Sequence, residues 1–119
     1  MSVKNYSEMS DFEINGMVAA ATQKFGDYTQ ARGLTFIHEY GEPTGEFGSM
    51  CLGWKEFNPC GSWADAGHII EENDISLRKL YGSGWRAIKE WGDSHEHDSE
   101  SPLRAAMIVF LMIHEAKDE

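Results

Sequence analysis

The segment Ala105 to Ile113, reading Ala-Ala-Met-Ile-Val-Phe-Leu-Met-Ile, limits most strongly what this chain can fold into. It follows Ser101 and Pro102, a capping residue and a proline at the first helical position, where a missing N–H is harmless. A helix is therefore expected here, and it is apolar on nearly every side. One apolar stripe can be buried by a single neighbour, but a helix apolar all round has to be enclosed by several. The run is also far shorter than the roughly 20 residues that cross a bilayer. The last helix is thus expected in a protein core.

The remaining elements are read from period and punctuation. Ser10 and Glu13 form a capping-box pattern ahead of a helix from about Asp11 to Gln23. Ile14, Met17, Val18 and Ala21 make its apolar stripe, and Phe25-Gly26-Asp27 ends it. From Gly33 to Tyr40 the period changes to two, with Leu34, Phe36, His38 and Tyr40 alternating with Thr35, Ile37 and Glu39, which reads as a strand. Glu46 to Trp54 reads as the returning strand of a hairpin. Phe57-Asn58-Pro59-Cys60-Gly61 is a turn, since the residue before a proline avoids the helical region. Ser62 caps a second helix to about Asn73, with Trp63, Ala66, Ile69 and Ile70 on one side. Ile75–Tyr81 and Trp85–Trp91 form a second hairpin around Gly82-Ser83-Gly84. Gly92 to Glu100, rich in acids, reads as a solvated loop.

The order is α-β-β-α-β-β-α. The simplest architecture that buries these elements is α+β: an α/β/α layered sandwich with one mainly antiparallel sheet of about four strands and a buried C-terminal helix. No repeat or linker divides the chain, so residues 1–119 are read as one domain, with 1–9 and 116–119 frayed. Short hairpins leave sheet edges that need a partner or a cover, and a homodimer would supply one.

Composition removes several function classes. Ten basic residues stand against twenty acidic ones, a net charge of −10, and a charge of that sign repels phosphate backbones. General nucleic-acid binding would need a local basic patch, and no such patch is visible. Residues 1–10 carry no apolar stretch of the secretory type and no membrane span is present, so a cytoplasmic location is expected. Two cysteines, Cys51 and Cys60, are too few for a disulfide framework and too far from any metal-ligand spacing, and are expected to be free thiols.

Three segments are more specific. Asn5-Tyr6-Ser7-Glu8-Met9-Ser10-Asp11-Phe12-Glu13-Ile14-Asn15, then Phe57-Asn58-Pro59-Cys60 leading to Ala64-Asp65-Ala66 and Ile69-Ile70-Glu71-Glu72-Asn73, and finally Ser101-Pro102-Leu103-Arg104-Ala105-Ala106-Met107-Ile108-Val109-Phe110-Leu111-Met112 resemble the NinX-like proteins, small accessory proteins of lambdoid and related tailed phages. More loosely, the helix at Trp63 and the Pro-Leu-Arg-Ala-Ala helix are similar to the phage ABA sandwich domain. The match weakens from Lys24 to Trp54. The resemblance implies a phage origin and expression in a host bacterial cytoplasm; it brings no catalytic motif or cofactor.

Candidate sites are few. His95-Glu96-His97-Asp98 is the one cluster of metal-ligand types, with His95 and His97 as weak candidate ligands, and it lies in a stretch with nothing apolar to hold it. Neither cysteine has a histidine at a motif spacing and no Gly-x-Ser-x-Gly occurs, so no enzyme is expected. Trp54, Asn58, Ser62, Trp63, Tyr81 and Trp85 could line an aromatic pocket beside a helix N-terminus; the same tryptophans also suit core and interface packing. The expected function is non-enzymatic: binding a host component, foremost a host protein, through aromatic anchors on an acidic surface. The alternative is sequestration of a nucleotide-like host defence signal by base stacking in that pocket. Mimicry of DNA by surface carboxylates ranks third, because ten basic residues are interspersed among the acids.

Overall fold

The computed structural model describes residues 5–23, 28–40 and 51–117, the side chains of Tyr40, Cys51 and Leu52 excepted. In chain order it contains a 3-10 turn (Tyr6–Glu8), α1 (Asp11–Thr22), β1 (Tyr28–Ala31), β2 (Leu34–Tyr40), β3 (Cys51–Glu56), α2 (Trp63–Glu72), β4 (Ile75–Lys79), β5 (Trp85–Lys89), β6 (Glu96–Ser99) and α3 (Pro102–Lys117). The fold is α+β with three helices, but the strands form two three-stranded antiparallel sheets, β1-β2-β3 and β4-β5-β6, instead of one sheet of about four.

α3 lies at the centre. Met107, Ile108 and Val109 have no exposed surface, and Leu103, Ala105, Ala106, Phe110, Leu111 and Ile113 are also buried. α1, α2 and all three strands of the second sheet pack against it, so the all-round apolar character of the segment matches neighbours on several sides. The helix starts are as the caps require. Ser10 Oγ accepts from Glu13 N at 3.1 Å while Glu13 reaches back to the Ser10 N–H. Ser62 and Ser101 accept from Asp65 N and Arg104 N.

Several boundaries differ from the sequence reading; the strands of the second hairpin, for instance, end at Lys79 and Lys89. The returning strand of the first hairpin occupies Cys51–Glu56; residues 46–50 of the expected span, and Phe25-Gly26-Asp27, lie outside the described residues. β1 was hidden because Tyr28–Ala31 is only four residues long and pairs with β2 through a two-residue turn at Arg32 and Gly33, both with positive φ. Gly92 to Glu100 is not simply a loop: Glu96–Ser99 forms β6. Its alternating burial turns Glu96 and Asp98 to solvent, and Asp98 binds Arg86 across the ladder, so the acidic composition reflects one face of an edge strand. Of the ends expected to fray, residues 1–4 and 118–119 lie outside the described residues, while residues 6–9 are held. Tyr6 is buried and its hydroxyl donates to Glu115 Oε2 at 2.8 Å; Arg104 on α3 donates to the carbonyls of Tyr6, Ser7 and Met9 and pairs with Asp11 at 2.7 Å. Ala116 and Lys117 continue α3.

The first sheet turns over relative to its apolar pattern. Thr35, 2 % exposed, and Ile37 face α1, while Leu34, Phe36 and His38 face away. The cause is a close approach. Gly16 of α1 sits where a Cβ would come within 2.5 Å of the Gln30 side chain. Gln30 in turn donates to Phe12 O at 2.8 Å and Thr35 Oγ1 at 2.9 Å. Helix and sheet meet through a polar clasp that accommodates threonine and leaves the larger side chains on the opposite face.

Candidate functional site

Antiparallel pairing sets His38 opposite Trp54 and Phe36 opposite Glu56 on the face of the first sheet turned from α1. The His38 and Trp54 rings stack, with centroids 5.0 Å apart and planes 8° from parallel, and Phe36 lies 6.4 Å from the same indole. Thr29 Oγ1, on β1, is 3.0 Å from His38 Nε2 and fixes the ring from the other side. Trp54 is nonetheless 57 % exposed and Leu34 43 %. A rigid, prestacked indole that keeps half its area in water has little rotamer entropy left to lose on binding.

The other expected residues fall elsewhere. Trp85 belongs to the second sheet, so strand pairing does not bring it to Trp54. Lys79 Nζ lies over its ring at 5.2 Å. Tyr81 is fully exposed at the tip of the β4–β5 hairpin, and Trp63 is 58 % exposed at the start of α2. Asn58 and Ser62 do lie together, but Asn58 Oδ1 and Ser62 Oγ are already engaged as acceptors. Asn15, buried inside α1, donates to Asn58 Oδ1 at 2.9 Å and accepts from Cys60 N at 3.0 Å, while Asn58 N donates to Asp65 Oδ2 at 2.9 Å. A carboxylate thus already sits at the start of α2, where an anion would bind. A cavity of about 200 Å³ beside this loop takes in Asn58 but none of the other five residues, and Asp11 and Glu56 at its rim oppose a phosphate.

Cys60 is buried in this corner. Burial, and then the nearby Asp11 carboxylate, push its thiol up to about 12, so the neutral form predominates at physiological pH. Cys51 has no described side chain. The His95-Glu96-His97-Asp98 cluster is divided by the pleat, with the histidines on the α3 side of β6 and the carboxylates on the other. Asp98 is held by Arg86 through contacts of 2.7 and 3.1 Å. Among the described residues no group of three or more His, Cys, Asp or Glu side chains is placed to hold a metal ion.

Burial against α3 lowers the His97 pKa, and Arg104 adds to this against the opposing effect of Asp98. The folded state therefore binds a proton less readily than the unfolded chain. The resulting stability is complete above the unfolded value near 6.5 and is lost as pH falls through the lower folded value. The melting temperature should accordingly drop between pH 7.5 and pH 5, and His97→Gln should flatten that part of the profile in a calorimetric pH series.

Sequence spacing missed Phe36 and His38 as members of an exposed aromatic set, although their period-two placement with Trp54 across the hairpin was a usable signal. It also missed the basic character of the second hairpin. Arg78, Lys79, Arg86 and Lys89 all fall within residues 75–89, which contain no acidic residue, so a local basic patch does exist.

Comparison with curated proteins returns no match. The family model described as Bacteriophage P22, NinX matches residues 5–114, from the N-terminal strap to His114 near the end of α3. With nearly the whole chain inside that match, the protein belongs to the NinX family of bacteriophage P22.

Proposed function

We propose that this protein is a non-enzymatic phage accessory protein that binds a host protein in the cytoplasm of the infected bacterium, using the outer face of the first sheet. The observation that carries the reading is the exposed His38–Trp54 stack with Phe36 and Leu34 beside it. Aromatic side chains supply most of the energy at protein interfaces, and a net charge of −10 steers the surface toward a basic partner. The alternative, capture of a nucleotide-like signal, loses support from the engaged acceptor oxygens of Asn58 and Ser62 and the carboxylate of Asp65.

Trp54→Ala should weaken binding to the host partner by about 2 kcal/mol or more, roughly thirtyfold, as expected of an aromatic anchor. Its melting temperature should stay close to that of the parent because the indole is already half in water. Affinity capture from host lysate with both proteins, followed by titration of the captured partner, reads both quantities. Equal affinity of the two proteins for every captured partner would refute the assignment of this face.

A further inference from the structure

The hairpin β4–β5 carries the opposite charge from the protein that bears it. Residues 75–89 hold four of the ten basic residues and no acidic one, a local charge of +4 in a chain of −10. Two of these charges are compensated: Arg86 by Asp98 at 2.7 Å, and Lys89 in part by Asp74 at 3.9 Å. Arg78 and Lys79 are exposed and form no ion pair among the described residues. Register places Arg78 beside Arg86 on the solvent face of the ladder, and Lys79 beside Trp85 on the opposite face, at the end of the row that carries buried Ile75 and Ala87.

The tip adds π surface. Leu80 N donates to Gly84 O at 3.0 Å, and Gly82 and Gly84 take positive φ, which turns the chain tightly and leaves Tyr81 fully in solvent. The half-buried Trp85 ring lies alongside under Lys79. We propose that single-stranded nucleic acid wraps this hairpin tip, with Arg78 on one face and Lys79 on the other contacting phosphates and Tyr81 stacking on a base. Cations tracking a backbone beside an exposed ring are the elements of sequence-tolerant single-strand binding. An acidic peptide would use the charges and leave the ring unused. At physiological ionic strength the Debye length is about 8 Å, so the acids of the remote helices and first sheet are screened. On neighbouring β6, Asp98 is engaged by Arg86 and Glu100 follows Ser99 opposite Trp85, which leaves Arg78 and Lys79 as the hairpin's own cations without an ion pair among the described residues.

The test is fluorescence anisotropy of a labelled short oligothymidylate with the full-length protein. Two phosphate contacts predict a fall in affinity of about sevenfold between 50 and 200 mM salt. Replacing both cations (Arg78→Gln with Lys79→Gln) should abolish that salt dependence along with most of the binding. Tyr81→Ala should weaken binding by at least about fivefold while leaving the salt slope intact. All three side chains are exposed, and melting curves of the variants should overlay the parent's. Absence of oligothymidylate binding at 50 mM salt would overturn the proposal, as would undiminished binding by the Arg78/Lys79 variant or equal competition by polyglutamate. Since Trp54 lies on the other sheet, Trp54→Ala should bind the oligonucleotide normally, which separates this surface from the protein-docking face.

Discussion

Met107→Asp should leave no folded protein. Met107 has no exposed surface and sits midway along a helix packed by α1, α2 and the second sheet. A carboxylate there has no described partner; whether it stays charged or takes a proton, its desolvation costs several kcal/mol, and the lost methionine packing adds more. Against a total stability on the order of 5–15 kcal/mol that is decisive. Expression in inclusion bodies, or a soluble product without a cooperative melt, is the expected result. Lys117→Asp, at the exposed end of the same helix, should melt like the parent. A soluble, cooperatively melting Met107→Asp protein would show that α3 does not organise the core.

Arg104→Met should cost about 2–3 kcal/mol. Its guanidinium is 18 % exposed, donates to three backbone carbonyls of residues 6–9 and pairs with Asp11. Charge-assisted hydrogen bonds contribute about 1.5–3 kcal/mol, whereas the Asp11 pairing adds little because that carboxylate is largely in water. The loss should be local as well as global. Amide exchange at Met9, which donates to Tyr6 O at 3.1 Å, should accelerate more than exchange in α3, and proteases should clip the strap first. Asp11→Asn should cost less than about 1 kcal/mol, so the difference between the two variants isolates the carbonyl contacts. If both destabilise equally, the ion pair and not the strap is what Arg104 provides.

These two variants also mark what could be read from residues alone. The central position of α3 was legible because an all-round apolar helix has one physical solution, and the three serine caps were legible because they depend on neighbours within one turn. The strap was not. Arg104 meets Met9 across 95 positions, and no local pattern announces that an arginine on a core helix will satisfy carbonyls near the start of the chain. β6 was missed for a similar reason: Glu96-His97-Asp98-Ser99 has poor strand propensity and becomes a strand only because β5 offers it an edge and Arg86 a counter-charge. At the candidate site Trp54 is legible from the strand pattern, but a single sheet would join it to Trp85. Once the strands divide into two sheets, the aromatics fall into two groups with different surroundings, stacked against His38 in one and beside lysine and arginine in the other.

The central helix is the last element in chain order, and this has a consequence for biosynthesis. During translation α1, α2 and the strands of the second sheet are synthesised before the segment that buries their apolar faces. The contact between Tyr6 and Glu115 closes a loop of nearly the whole chain, at an entropic cost of roughly 4 kcal/mol. Folding therefore has to await completion of α3, and nascent chains present Ile14, Val18, Ile69 and Ile75 to the cell unprotected until then. A chain terminated before residue 102 would carry side chains for a core and nothing to assemble them around, a substrate for chaperones and proteases and not a partial version of the protein.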